Sequence, residues 1–208
     1  MSDAPFRVIL RMEIKPGMEA DFERTWLEIG DAVISHPANL GQWLCRGTED
    51  TSIYYIVSDW VDEELFREFE HSDGHLEHRK KLHPFRSGGS MDTMTVVAHL
   101  PGQHPGRVAP ERIRVLLFHR AADRDAIAAA YHQVSEDLAG TPGLVSNEFL
   151  GSVHDSTEFL VMSEWTDQAA FDRWEQGASH KDSTAALRPF QDSRREPSFG
   201  VYRVQARY

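Results

Sequence analysis

The chain has 208 residues, 33 acidic and 22 basic side chains, a formal net charge of −11 and a hydrophobic share of 40%. A core of ordinary size can be buried, the length suits two domains of about 100 residues each, and the acidic balance argues against nucleic acid and anionic membrane surfaces as partners. One cysteine, Cys45, leaves no internal disulfide and no cysteine-built zinc or iron–sulfur site. No apolar run approaches the ~18 residues of a spanning helix. The start "MSDAPFRVIL" lacks a basic region followed by an apolar stretch, so a cytoplasmic address is expected.

In chain order, "FRVILRMEI" is a β-branched, apolar run that predicts a strand. From Lys15 to His36, Met18, Phe22, Trp26, Ile29 and Val33 recur at steps of four and three, which predicts an amphipathic helix. "HPANLGQWLCRG" reads as a proline turn and a strand, "TEDT" as a turn, and "SIYYIVSDW" as the next strand. "VDEELFREFEHSDGHLEHRKKL" is predicted as one helix. Asp62 is placed to cap it, with acids in its first turn and "RKK" in its last, as the helix dipole prefers. "MDTMTVVAHL" closes the set as a strand.

The same order then returns. With a shift of 105, Tyr54–Arg86 lies over Phe159–Gln191 without a gap, pairing Ser58 with Ser163, Trp60 with Trp165, Phe66 with Phe171, His75 with His180 and Phe85 with Phe190. Near the starts the shift is 107, setting "FRVIL" over "IRVLL". The period is that of a domain, not of a solenoid repeat. Between the copies, Pro101–Glu111 carries three prolines and two glycines and reads as a linker. The expected organisation is a first domain over 1–100, a linker over 101–111 and a second domain over 112–208. Each copy reads β-α-β-β-α-β, the ferredoxin-like pattern. The predicted class is α+β, with two tandem ferredoxin-like repeats packed sheet to sheet as a pseudo-dimer resembling a dimeric α/β barrel.

Strands ending in "SDW" and "SEW", followed by "D", then "ELF" or "AAF" and a helix bearing histidine, resemble the antibiotic biosynthesis monooxygenase family. The resemblance takes in nearly the whole chain apart from the linker. It implies a cleft between sheet and helices that binds a flat aromatic molecule, and, in several relatives, oxidation of anthrone-like or phenolic polyketides by dioxygen with no cofactor. The matching tryptophans are Trp60 and Trp165. The chain departs from the quinone-forming pattern at Ile56 and Val161, where those relatives carry asparagine, and at Phe66 and Phe171, where they carry tyrosine. It departs from the haem-degrading branch at Leu10. Two other readings of the fold therefore stand beside the oxygenase: a polyketide-binding or cyclase-like protein, and a haem binder.

Histidine is a natural base near neutral pH, so His75 is the expected proton acceptor, with His180 its counterpart. His71, His75 and His78 fall at i, i+4 and i+7 of the predicted helix. That spacing can hold a metal, but no further ligand is pinned to it and repeat two lacks two of the three, so no metal is expected. Trp60 is a candidate stacking wall as well as a core aromatic. Gln42 and Asn147, at equivalent strand positions, are candidate amides for a developing oxyanion. Trp43 and His36 are specific to repeat one, which favours it as the active copy. Phe66, Phe69, Trp165, Phe171 and Trp174 complete the expected substrate-binding set. The partners expected are an aromatic polyketide and dioxygen; a homodimer of this two-repeat chain is one assembly open to it. The sequence has no G-x-G-x-x-G after a strand, no P-loop, no H-E-x-x-H and no G-x-S-x-G.

Overall fold

The computed structural model describes residues 5–102 and 111–208. It has the predicted α+β class and the predicted order of elements in each repeat. The first repeat comprises β1 (Phe6–Ile14), α1 (Glu19–Ile34), β2 (Asn39–Gly47), β3 (Ile53–Trp60), α2 (Glu63–His71), α3 (Asp73–Leu82), a 3-10 turn (His83–Phe85) and β4 (Arg86–Pro101). The second comprises β5 (Ile113–Arg120), α4 (Arg124–Leu138), β6 (Leu144–Ser152), β7 (Glu158–Trp165), α5 (Gln168–Glu175), α6 (His180–Ser183), a 3-10 segment (Ala185–Phe190) and β8 (Phe199–Arg207). Most of the expected linker, residues 103–110, lies outside the described residues.

The chain forms two compact units: Met1–Met94 with Val204–Tyr208, and Thr95–Arg203. In the first, the strand order is β4-β1-β3-β2. β1 and β3 pair antiparallel with Phe6 opposite Trp60 and Met12 opposite Tyr54, and β2 pairs with β3 with Gln42 opposite Ser58. The tail at Val204–Tyr208 runs beside β2: Tyr208 N–H donates to the Gln42 carbonyl at 2.9 Å and Gln42 N–H to the Tyr208 carbonyl at 3.2 Å. The second unit repeats the plan as β8-β5-β7-β6, with Ile113 opposite Trp165 and Asn147 opposite Ser163. In each unit the helices bury their apolar stripe on one face of the sheet. On α1 these are Phe22, Trp26, Ile29 and Val33; on α4 they are Ile127, Tyr131, Val134 and Leu138.

Asp62 caps α2 as predicted, accepting from Leu65 N–H at 2.8 Å, and Asp167 caps α5 in the same way. The single helix expected across Val61–Leu82 is a correction: the chain breaks at Ser72. There the backbone turns extended. The Ser72 hydroxyl donates to the Phe69 carbonyl at 2.7 Å and accepts from His75 N–H at 3.3 Å, ending α2 and capping α3 at once.

Candidate active site

A cavity of about 340 Å³ lies in the first unit between the sheet and its helices, within the range of small-molecule sites. Alternation along β1 puts Val8, Leu10 and Met12 on its wall; β3 adds Ile56, Ser58 and Trp60, and β2 adds Gln42. The inner stripe of α1 supplies Trp26, Ile29, Gly30 and Val33. Phe66, Phe69 and Glu70 come from α2; His75, His78, Arg79 and Leu82 come from α3; His83, Arg86 and Gly89–Met91 follow them.

The cavity exists because the core of this unit does not close. Two separate clusters of its buried side chains border the cavity. One holds Phe6, Val8, Val33, Trp60, Phe66 and Phe69; the other holds Met12, Trp26, Leu44, Tyr54 and Ile56. Both contribute to the cavity wall. In the second unit the equivalent positions join into one cluster, with Val115, Tyr131, Leu138, Phe149, Val161, Trp165 and Leu187 in continuous contact. Leu138 stands where repeat one has Val33, and Leu187 is buried where Leu82 is only half-buried.

An aromatic series runs from the end of β3 to α3. The Trp60 ring lies 4.8 Å from that of Phe69, which lies 4.5 Å from His75. Trp60 Nε1–H donates to Ser58 Oγ at 2.9 Å, so its polar edge is satisfied locally. The second unit repeats the series as Trp165, Trp174 and His180, with ring separations of 5.1 and 4.4 Å, and Trp165 Nε1–H donates to Ser163 Oγ at 3.0 Å. The series is therefore common to both units, and the cavity lies against the copy in repeat one.

Burial, reinforced by the nearby Arg79 guanidinium, lowers the His75 pKa to about 4. Its imidazole is neutral near pH 7, and Nδ1 is buried without a hydrogen-bond partner among the described residues. His78, 6.4 Å away ring to ring, is also shifted down by burial. Gln42 is buried, and its amide donates to the Gly30 carbonyl at 3.4 Å. Tyr208 backs this wall: its ring lies 5.4 Å from Trp26 and its hydroxyl donates to the Leu27 carbonyl at 3.0 Å.

Of the residues singled out from sequence, His75, Trp60, Gln42, Phe66 and Phe69 meet at the cavity. Ile56, Phe66 and Leu10, the positions of departure from the family pattern, line it too. His36 does not line it; the ring packs behind the wall, 5.3 Å from Phe69 and 5.9 Å from Trp60. Trp43 does not line it either, since it follows Gln42 on a strand and takes the other face, where the Arg207 guanidinium covers its ring at 5.5 Å. His71 is exposed at the end of α2, and the break at Ser72 removes it from the face shared by His75 and His78. Among the described residues no group of three His, Cys, Asp or Glu side chains is arranged to hold a metal ion.

In the second unit Trp165 and Phe171 are core residues with Trp174 packed against them, and His180 lies on Trp174. Asn147 is fully buried and donates to Ser135 Oγ at 3.3 Å. The lining residues outside the expected site set include Trp26, Glu70, Arg79, His83, Arg86 and Met91. Trp26 was visible as part of the α1 stripe; the others carried no signal of a shared site.

A pair of tandem ferredoxin-like repeats, with an apolar, aromatic-walled cavity of small-molecule size under the helices of the first, defines the α+β class of the protein. The family model for antibiotic biosynthesis monooxygenases matches residues 5–81 and 113–186. The chain belongs to that family. It is 26% identical over 106 residues to protein SchA of Streptomyces halstedii, covering 51% of this chain and 28% of that protein. It is 31% identical over 78 residues to a 42.8 kDa protein in the whiE locus of Streptomyces coelicolor, covering 36% of this chain and 20% of that protein. The matches thus span under a third of the length of these curated relatives. An anthrone oxidase-like protein of known structure superposes with a TM-score of 0.77 at 13% identity, covering 100% of this chain and 93% of its own. A monooxygenase-like protein from Listeria innocua gives 0.56 at 16% identity, covering 97% and 94%. At these identities the two structures share the fold. Among the described residues no helix is long and apolar enough to cross a membrane.

Proposed function

We propose that the chain is a cofactor-independent monooxygenase that oxidises a polycyclic aromatic polyketide with dioxygen, using the cavity of repeat one. The observation that carries the reading is His75: a neutral imidazole with a buried, unpartnered Nδ1, set on the aromatic wall of an apolar cavity. Family membership supports an oxygenase, and the likeness to an anthrone oxidase-like fold suits an anthrone as test substrate.

On this reading His75 takes a proton from the activated ring carbon or hydroxyl of an anthrone. The imidazolium and the carbanion–enolate form as an adjacent pair, and their attraction offsets the low basicity of the empty site. The anion gives one electron to dioxygen, and the radical and superoxide combine to a peroxide that recovers the proton from His75. Loss of the second C–H proton with cleavage of the O–O bond releases water and leaves the quinone. Anthrone and dioxygen thus give anthraquinone and water. The apolar wall excludes competing water, and the Gln42 amide stands at the cavity for the developing oxyanion.

The test is dioxygen uptake by colourless, chelator-treated protein given an anthrone, with product mass read alongside. Uptake with oxygen gained in the product is expected. Ligand bound and recovered at unchanged mass would overturn the oxidative reading in favour of a polyketide-binding or cyclase-like protein.

A further inference from the structure

We infer that the ligand of this cavity carries a carboxylate on its flat aromatic body, received at the cavity mouth by Arg79 and Arg86; the inference rests on the reading of the cavity as the substrate site. Both side chains line the cavity and are exposed at its edge. Neither has an ion pair or a side-chain hydrogen bond among the described residues, whereas the one acidic side chain of the lining, Glu70, is held by Arg67 at 2.9 Å. In a chain of net charge −11, two guanidinium groups with no ion pair among the described residues, at an apolar cavity whose one acidic lining side chain is held by Arg67, are a positive site open to an anion. Guanidinium forks match carboxylate oxygens in a bidentate manner.

Repeat two provides an internal comparison. Thr184 and Gln191 stand at the positions of Arg79 and Arg86, and Arg188, at the position of His83, donates to the Lys181 carbonyl and to Thr184 Oγ1. Both of these cations therefore belong to the lining of the cavity in repeat one, and repeat two carries uncharged side chains at the two positions. A carboxylate at the edge stays partly hydrated, so its desolvation cost is small, while Trp26 and Trp60 cover the ring system inside.

The experiment compares anthracene-2-carboxylate with its primary carboxamide, titrated into the full chain at neutral pH and low salt and followed by tryptophan fluorescence. The carboxylate is expected to bind about tenfold more tightly. In the Arg79→Gln/Arg86→Gln variant that preference should vanish while carboxamide affinity stays within about twofold. Equal affinities in the unmodified chain would overturn the carboxylate assignment alone. So would a variant that weakens both ligands alike, because that is the signature of lost stem packing rather than lost charge. Failure of both ligands to bind would overturn the cavity reading itself, and this inference with it.

Discussion

The ring of Tyr208 occupies the space that a side chain at position 30 would need: a Cβ on Gly30 would lie 2.4 Å from a ring carbon. Gly30 sits inside α1 and lines the cavity, where glycine costs about 1 kcal/mol of helix stability relative to alanine. The contact explains why that cost is carried. Gly30→Ala should destabilise the chain by roughly 1–2 kcal/mol, since overpacking outweighs the helix gain. Adding Tyr208→Ala should return part of the loss. Urea unfolding of the two variants measures this, and a stabilised Gly30→Ala would mean the ring moves aside freely.

His75 and His180 occupy matching places, but only His75 faces the cavity. His75→Ala should lower kcat with an anthrone by two orders of magnitude or so, and His180→Ala should leave it nearly unchanged. Equal rates in the two variants would remove His75 from the reaction.

The pH profile follows from the same environment. With a pKa near 4, His75 can accept a proton throughout the neutral range and loses that capacity only as pH falls through about 4. For the free enzyme, kcat/KM should therefore be level between about pH 6 and 8 with respect to this group. An acid limb near 6.5 would indicate a hydrated imidazole.

His119 gives a stability prediction. It is almost fully buried, its Nδ1 lies 2.9 Å from the Leu117 carbonyl, and Nε2 has no partner among the described residues. Burial lowers its pKa to about 4. The unfolded chain therefore binds this proton first as the medium is acidified. Stability is intact above about pH 6.5 and is lost progressively down to about 4, by up to ~3 kcal/mol. His119→Met, which installs the residue that repeat one carries at Met12, should flatten the acid side of a stability–pH curve. An unchanged curve would mean that other groups govern acid unfolding.

The filled core of repeat two should be the less tolerant one. Leu187→Ala removes a buried side chain from a continuous cluster and should cost about 2–5 kcal/mol. Leu82→Ala, at the wall of an existing cavity, should cost well under that. Chemical denaturation compares the pair; equal losses would imply that repeat one closes around Leu82 in solution.

The fold was legible because one set of constraints is written twice. Phe6 over Ile113 and Trp60 over Trp165 fix strands, register and helix faces together. The break at Ser72 was missed because the charge pattern along Glu63–Leu82 suits one helix, although Ser72 followed by Asp73 and Gly74 is itself a cap signal. Period-two alternation already places Trp43 on the sheet face opposite to that of Gln42. The cavity was less legible. The shared residues Trp60/Trp165 and His75/His180 drew attention, yet they pack alike in both units. What differs between the two cores is small: Val33 stands against Leu138, and Leu82 is half-buried where Leu187 is buried. A change of about one methylene, or a shift in how far one leucine is buried, leaves no mark on hydrophobic periodicity.

The stretch at Val204–Tyr208 belongs to the unit built from Met1–Met94, more than a hundred residues away along the chain. During synthesis the ribosome releases β1 to α3 long before Tyr208 exists. Gln42 then has β3 on one side only and the hollow over Gly30 has no cover. The cavity of the first repeat is therefore finished last, and a nascent chain has no intact site to occupy until its second repeat has been made.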